Sequence, residues 1–248
     1  MNIVDYTPES ALLVTPHPDD AEGGCGGTIG RWISEGAKGY YVLCTNGDKG
    51  SGDPEMTHER LAVIREKEQQ EAADVMGVSE VTFLRIPDGT LEDNHHFRKG
   101  VARAIRKYRP EVVMCIDPWR SKSHTHRDHR MSGLVTLEAI APYACNPHYY
   151  PELLRDEGLE PHLVKEVFLW GSEDPDTYVE VGPTLRLKYD SLSMHVSQFV
   201  GRTGRWERIQ QWARETAEPA GLEFAERFRR FKVVPDPWLA RYSPNGAE

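Results

Sequence analysis

With 248 residues and 39% hydrophobic content, the chain is long enough for one ordinary domain with a sizeable core. Its formal net charge of -9 argues against nucleic acid or an anionic membrane as a main partner. No apolar run approaches the roughly 18 residues of a spanning helix, and the first ten residues lack the basic and long apolar regions of a secretory signal, so a cytoplasmic protein is expected.

Residues 11–14 (ALLV) form a short uncharged run, the pattern of a strand buried on both faces. The run enters Thr15-Pro16-His17-Pro18-Asp19-Asp20-Ala21-Glu22. The two prolines hold the chain extended and end regular structure. A loop at the end of a buried strand is where open α/β sheets place their sites. This one carries an imidazole and three carboxylates within six residues. Adjacent carboxylates repel, more so in a dry pocket, and a divalent cation removes that cost. His17 and Asp20, three apart on a tight turn, can face one point, leaving Asp19 free for proton work. The plainer reading of this segment alone is a solvated acidic loop in which Asp19 or Asp20 caps the next helix.

Residues 21–34 read as a helix ending at Gly36, with glycines near its start that permit close packing. A glycine-rich turn after a strand also suggests a dinucleotide fingerprint. The spacing does not fit G-x-G-x-x-G, however, and no phosphate-binding lysine follows. Residues 38–45 (KGYYVLCT) form a second strand, followed by a turn-rich loop over 46–54. Residues 59–76 give a helix with an apolar stripe through Leu61, Ile64, Ala72 and Met76, ended by Gly77. A third strand covers 81–86 before Pro87-Asp88-Gly89, a helix covers 97–108, and a fourth buried strand covers 111–116 (EVVMCI). This alternation predicts an α/β, Rossmann-like three-layer sandwich: a mostly parallel sheet with helices on both faces.

The fourth strand runs into Asp117-Pro118-Trp119 and then Ser123-His124-Thr125-His126-Arg127-Asp128-His129. Residues 132–144 read as a helix, so His129 lies near its first turn. In a parallel sheet the ends of the first and fourth strands share one edge, and the two polar clusters can converge. His17, Asp20 and His129 then make a nitrogen/oxygen donor set with the composition of a catalytic zinc site. Fe2+ or another divalent ion suits the same set.

Further on, residues 165–170 and 178–181 look like strands, while 184–194, 204–217 and 224–231 look like helices. Trp206, Trp212, Phe224, Phe228 and Phe231 read as core or contact residues, not as a cofactor box. Pro235-Asp236-Pro237-Trp238 reads as a tail lying on the body or on a neighbouring subunit. The four cysteines, Cys25, Cys44, Cys115 and Cys145, lie far apart and read as buried small residues of a reduced protein.

These residues carry a resemblance. The sequence resembles the LmbE-like, or PIG-L, deacetylases, metal-dependent enzymes of which several act on N-acetylglucosamine-containing molecules. Residues 16–22 (PHPDDAE) meet the first signature, (A/P)-H-P-D-D-x-E, and residues 126–129 (HRDH) meet the second, H-x-D-H. Residues 45–50 (TNGDKG) are similar to T-x-G-E/D-x-G, Arg65 to Ala72 to R-x-x-E-x-x-x-A, and residues 195–198 (HVSQ) to a late H-x-S-Q. The likeness spans roughly residues 10 to 200.

The resemblance implies zinc held by His17, Asp20 and His129, with Asp19 as general base. It implies that His126 stabilises an oxyanion or protonates the leaving amine, and that Asp128 orients His126. Arg65, Asp48, Asp88 and His195 would line the substrate site. Arg127 stands where the family usually has proline, and His124 where some members place a tyrosine, so its role is open. The implied protein is a single domain over 1–248, with residues from about 150 shaping specificity and subunit contacts. It is a homo-oligomer acting on a small N-acetylated sugar conjugate. Two rivals share the pattern: an amidase of thiol-sugar conjugates, and a non-catalytic metal-dependent sugar-binding protein. A binding protein has no need of the spare base Asp19 or of His126.

Overall fold

The structure, a computed structural model, describes residues 1–122, 126–201 and 203–233. His124 and the stretch 235–238 lie outside the described residues. Strands β1 (Asn2–Ile3), β2 (Ser10–Thr15), β3 (Lys38–Thr45), β4 (Glu80–Ile86), β5 (Val112–Ile116), β6 (Glu166–Trp170), β7 (Thr177–Glu180) and β8 (Ala225–Lys232) form one sheet. Their order is β1-β7-β8-β6-β5-β2-β3-β4. Every pairing is parallel except those of β8, which lies antiparallel between β6 and β7.

Because side chains alternate along a strand, the sheet feeds two cores. Leu13, Leu43, Met114 and Phe168 face one side with Ile29 and Trp32 of α1 (Asp20–Ser34) and Met76 of α2 (His58–Met76). Leu12, Val14, Val113 and Cys115 face the other with Phe97, Val101 and Ile105 of α3 (His95–Tyr108) and Val135 of α4 (Arg127–Glu138). The expected three layers are present. A short helix α5 (Pro151–Arg155) precedes β6, and α6 (Leu185–Leu192) and α7 (Arg205–Ala217) precede β8. Thr57 caps α2 by accepting the Arg60 amide at 3.2 Å, and Gly77 ends it in the left-handed region at φ 79°. All four cysteines are free and buried. No helix among the described residues is long and apolar enough to cross a membrane.

Two segments differ from expectation. The helix expected over 224–231 is instead strand β8 from Ala225 onward: Ala225 and Phe228 are buried while Arg227 and Arg229 are exposed. Phe224, Phe228 and Phe231 recur at spacings of four and three, which imitates a helical stripe. The helix expected over 132–144 starts earlier, at Arg127, and ends at Glu138. A π-helical turn follows, in which Ala141 is extended (φ -146°, ψ 126°) because it precedes Pro142.

One buried ion pair ties β8 to the first helix. Helix α1 kinks at Cys25 (φ -145°, ψ 23°). Beyond the kink the amides of Gly27 and Thr28 donate to the Glu226 carboxylate at 2.9 and 2.7 Å. Lys188 of α6 donates to the same carboxylate at 2.6 Å, and both side chains are about 1–2% exposed. Gly27 has no room for a side chain, since a Cβ there would lie 2.8 Å from that of Val181. Removing the lysine leaves a buried charge uncompensated. Lys188→Met is expected to cost about 3–5 kcal/mol in denaturant unfolding; a loss below about 1 kcal/mol would show the pair is not needed for stability.

Candidate active site

Strands β2 and β5 are adjacent, but the chain leaves β2 toward β3 on one side and β5 toward β6 on the other. The order of the sheet therefore reverses between them, and the crevice outside their carboxyl ends is where such folds bind ligands. The loops after β2, β4 and β5 meet there around His17, which is 8% exposed.

Both nitrogens of His17 face carboxylates. Nδ1 lies 3.1 Å from Asp20 Oδ2, and Nε2 lies 3.0 Å from Asp88 Oδ1 and 3.4 Å from Asp128 Oδ2. Carboxylates accept and do not donate, so the ring carries both protons. Burial alone would lower its pKa, but the hydrogen bonds it donates to Asp128, Asp20 and Asp88 outweigh burial and raise it to about 11. His129 Nε2 lies 3.4 Å from Asp20 Oδ2. Burial pushes His129 down to about 4, so it is neutral with a lone pair to offer. Asp20 is also buried, which favours its protonated form, yet His17 and His129 hold it ionised with a lowered pKa.

The donor atoms of His17, Asp20 and His129 lie within 4.8 Å of one another, and so do those of His17, His126 and Asp128. The first set fits a cation better. The oxygens of Asp128 already accept the Gly89 and Leu91 amides at 2.6 and 3.2 Å. Nδ1 of His126 accepts the Asp128 amide at 3.2 Å and so caps α4. That bond makes Nδ1 the acceptor and leaves the ring proton on Nε2. Two imidazoles and one carboxylate converging without a thiolate suit zinc or another divalent ion. Coordination by His17 requires that it lose a proton. Metal uptake near neutral pH is therefore expected to release about one proton, read from calorimetry in buffers of different ionisation enthalpy. A heat independent of buffer would mean His17 is neutral beforehand.

Asp19 sits beside this cluster at φ 90°, the left-handed region, which costs a non-glycine residue about 1–3 kcal/mol. Its side chain does not cap α1. Helix α2 holds it in place. The Asp19 amide donates to Gln69 Oε1 at 3.2 Å, and Arg65 Nη2 lies 2.6 Å from the Pro18 carbonyl and 3.4 Å from Asp19 Oδ2. Behind them Gln69 donates to Glu22 at 2.9 Å, and Glu22 meets His195 Nε2 at 3.2 Å, all three fully buried. Burial, and next the charge of Asp20, raise the Asp19 pKa against the opposing pull of Arg65 and His195.

The four residues expected to line the substrate site are all buried and bonded to neighbouring groups. Arg65 is 4% exposed and spends its guanidinium on the Gly47 and Pro18 carbonyls and on Asp19. Asp48 accepts the Asp88 amide at 2.9 Å, and Asp88 meets His17, with its own pKa held at about 2: burial opposes that shift, and the His17 bond dominates. His195 has no exposed surface. Asp128 likewise directs its carboxylate to two amides and His17, whereas its tie to His126 is through the backbone.

A cavity of about 480 Å³ opens over Asp19 and Asp20, and its walls include Trp170, Leu192, Phe199 and Trp212. These walls were not foreseen. The one signal was Trp170, the last residue of a strand next to β5 at the same edge. Trp170 packs so tightly on α1 that a Cβ at Gly24 would come within 2.7 Å of its indole.

Residues 12–140 match the family model described as PIG-L: GlcNAc-PI de-N-acetylase. The diacetylchitobiose deacetylase of Thermococcus kodakarensis is 31% identical over 225 residues, covering 89% of this chain and 82% of that protein. A Bacillus anthracis protein described as "Probable N-acetyl-alpha-D-glucosaminyl L-malate deacetylase 2" is 28% identical, with coverage of 84% and 89%. The solved structure of N,N'-diacetylchitobiose deacetylase from Pyrococcus horikoshii, complexed with its inhibitor MPG, superimposes with a TM-score of 0.84. It is 30% identical and covers 94% of this chain and 89% of that one. On motifs, fold and relatives together, the chain belongs to the PIG-L, or LmbE-like, deacetylase family.

Proposed function

We propose that the chain is a metal-dependent deacetylase that hydrolyses the acetamide of a small N-acetylglucosamine-containing molecule. One observation carries the reading: an unliganded carboxylate, Asp19, stands beside the His17, Asp20 and His129 donor set on the floor of an aromatic-walled cavity. The relatives named above supply the substrate class. Zinc is the proposed ion, and Fe2+ suits the same donors.

Held by His17, Asp20 and His129, the ion supplies Lewis acidity that polarises an amide carbonyl and acidifies water. Asp19 accepts the proton of the water that attacks the acetyl carbon. Its raised proton affinity suits a group that must take a proton and then give it up. His126 directs its Nε2 proton at the oxygen that gains charge, a contribution of about 3 kcal/mol for comparable donors. When the carbon–nitrogen bond breaks, the amine takes the proton from Asp19, and acetate leaves. Asp128 anchors the loop after β4 through the Gly89 and Leu91 amides, and so holds Asp88 against His17.

We take residues 1–248 as one deacetylase unit. Trp170, Leu192, Phe199 and Trp212 support the reading that the part from about residue 150 shapes the substrate site. The resemblance also implies a cytoplasmic homo-oligomer; sedimentation measures its assembly. Acetate release from a panel of N-acetylglucosaminides, with chelator and after zinc is restored, tests the function. Chelator-insensitive release, or release from none of the panel, would refute it.

A further inference from the structure

The cavity does not end at the acetamide position. A second hollow of about 190 Å³ adjoins it and shares Gly23, Leu192, Phe199 and Trp212 with it as walls. Its far side is lined by Arg205 and Arg208 of α7. The chain as a whole has nine more acidic than basic residues (39 against 30). Even so, neither arginine forms an ion pair among the described residues. The Arg205 guanidinium lies over the Phe199 ring at 4.4 Å. Stacking occupies its face, and its planar edge of donors meets no acceptor among the described residues. Arg205 Nη1 and Trp170 Nε1 are both enclosed without a hydrogen-bond partner, a state that folded proteins seldom leave unmet. Lys188 is different, because Glu226 already neutralises it.

We propose that this extension is a subsite for an anionic group on the aglycone of the substrate, a carboxylate or a phosphate, held by Arg205 and Arg208 while the sugar lies against the tryptophan walls. The proposal rests on the deacetylase reading and narrows its substrate to anionic N-acetylglucosaminides. A neutral extension such as a second sugar offers hydroxyl acceptors but leaves both positive charges unneutralised, whereas an anion meets the charge and the paired donors together, which is why an anion is favoured. Arginine serves carboxylate and phosphate alike through paired donors.

The experiment compares three N-acetylglucosaminides of similar size: 2-hydroxyethyl, carboxymethyl and 2-phosphoethyl. Acetate release gives kcat/KM for each. At least one anionic glycoside is expected to exceed the neutral one by about tenfold, and whichever anion gives the larger ratio identifies the source. The ratio is expected to shrink toward one in Arg205→Gln with Arg208→Gln, and at raised ionic strength. Arg205→Lys, which keeps charge without the planar edge, is expected to recover part of it. Arg208 is exposed, so Arg208→Gln alone keeps the test alive if the variant at 205 fails to fold. Equal turnover of all three glycosides, or a ratio indifferent to both variants, overturns the subsite and leaves the deacetylase reading standing. Acetate from none of them overturns both.

Discussion

Asp19→Asn is expected to lower kcat for acetate release about a thousandfold while bound metal stays at the wild-type level. Asparagine tolerates the left-handed backbone that residue 19 adopts at φ 90°, and it keeps the shape of the side chain. Only the capacity to accept a proton is lost. The amide of residue 19 can still donate to Gln69, and Arg65 still has the Pro18 and Gly47 carbonyls. The donor set is also intact, because Asp20 is placed by the His17 amide at 3.0 Å and by the His17 ring. Asp19→Ala is expected to lose as much turnover, with a further small loss of stability from the strained backbone. Elemental analysis beside steady-state kinetics separates the cases. If metal and activity vanish together, Asp19 is a ligand and the base lies elsewhere.

His129→Ala is expected to abolish activity by a different route, through loss of the ion. Two donors from one tight turn, His17 and Asp20, remain on the β2 side, and the cross-link to α4 is gone. Removing a mere supporting partner of a ligand typically costs 10–100-fold in affinity, so removing the ligand itself is expected to cost more than about a hundredfold. His17→Ala should lose metal as well and also destabilise the metal-free protein, since Asp20, Asp88 and Asp128 then face one another without an intervening cation. The sign with pH follows from the raised pKa of His17. Its stabilisation is full below about 6.5, the unfolded value, and is lost as pH rises through about 11. Metal-free wild type should therefore melt at progressively lower temperature from neutral to alkaline pH, and His17→Ala should show less of that slope. Zinc content unchanged in either alanine variant would refute the donor set.

The elements around the site were legible because their signals are local. The short uncharged runs of β2 and β5, bounded by proline and turn residues, fit interior strands, and each ends in a polar cluster that no core could hold without compensation. The depth of Arg65, Asp48, Asp88 and His195 was not legible. Each becomes buried when loops from different strands fold over it, as when the 46–54 loop brings Gly47 onto Arg65, and nothing in the neighbouring sequence records that. The cavity walls have the same origin. Trp170, Phe199 and Trp212 are 29 and 13 residues apart in the chain, and only the packing of α7 against α6 and β8 makes them one surface. At β8 the two periodicities competed. Three phenylalanines spaced like a helix outweighed the alternation of Phe228 with Arg227 and Arg229, although alternation is what the sheet required.

The interior place of β8 has a consequence for how the molecule comes into being. The strand that joins β7 and β1 to the rest of the sheet is the one a ribosome makes after all of the others described. A nascent chain can assemble β2 to β6 with their helices as they emerge. Until residues 225–232 follow, β7 and β1 have no strand of the main sheet to pair with, and the amides beyond the kink of α1 wait for Glu226. Helix α1 begins at Asp20, so the helix that follows the catalytic loop gains this part of its support only when translation has passed that strand.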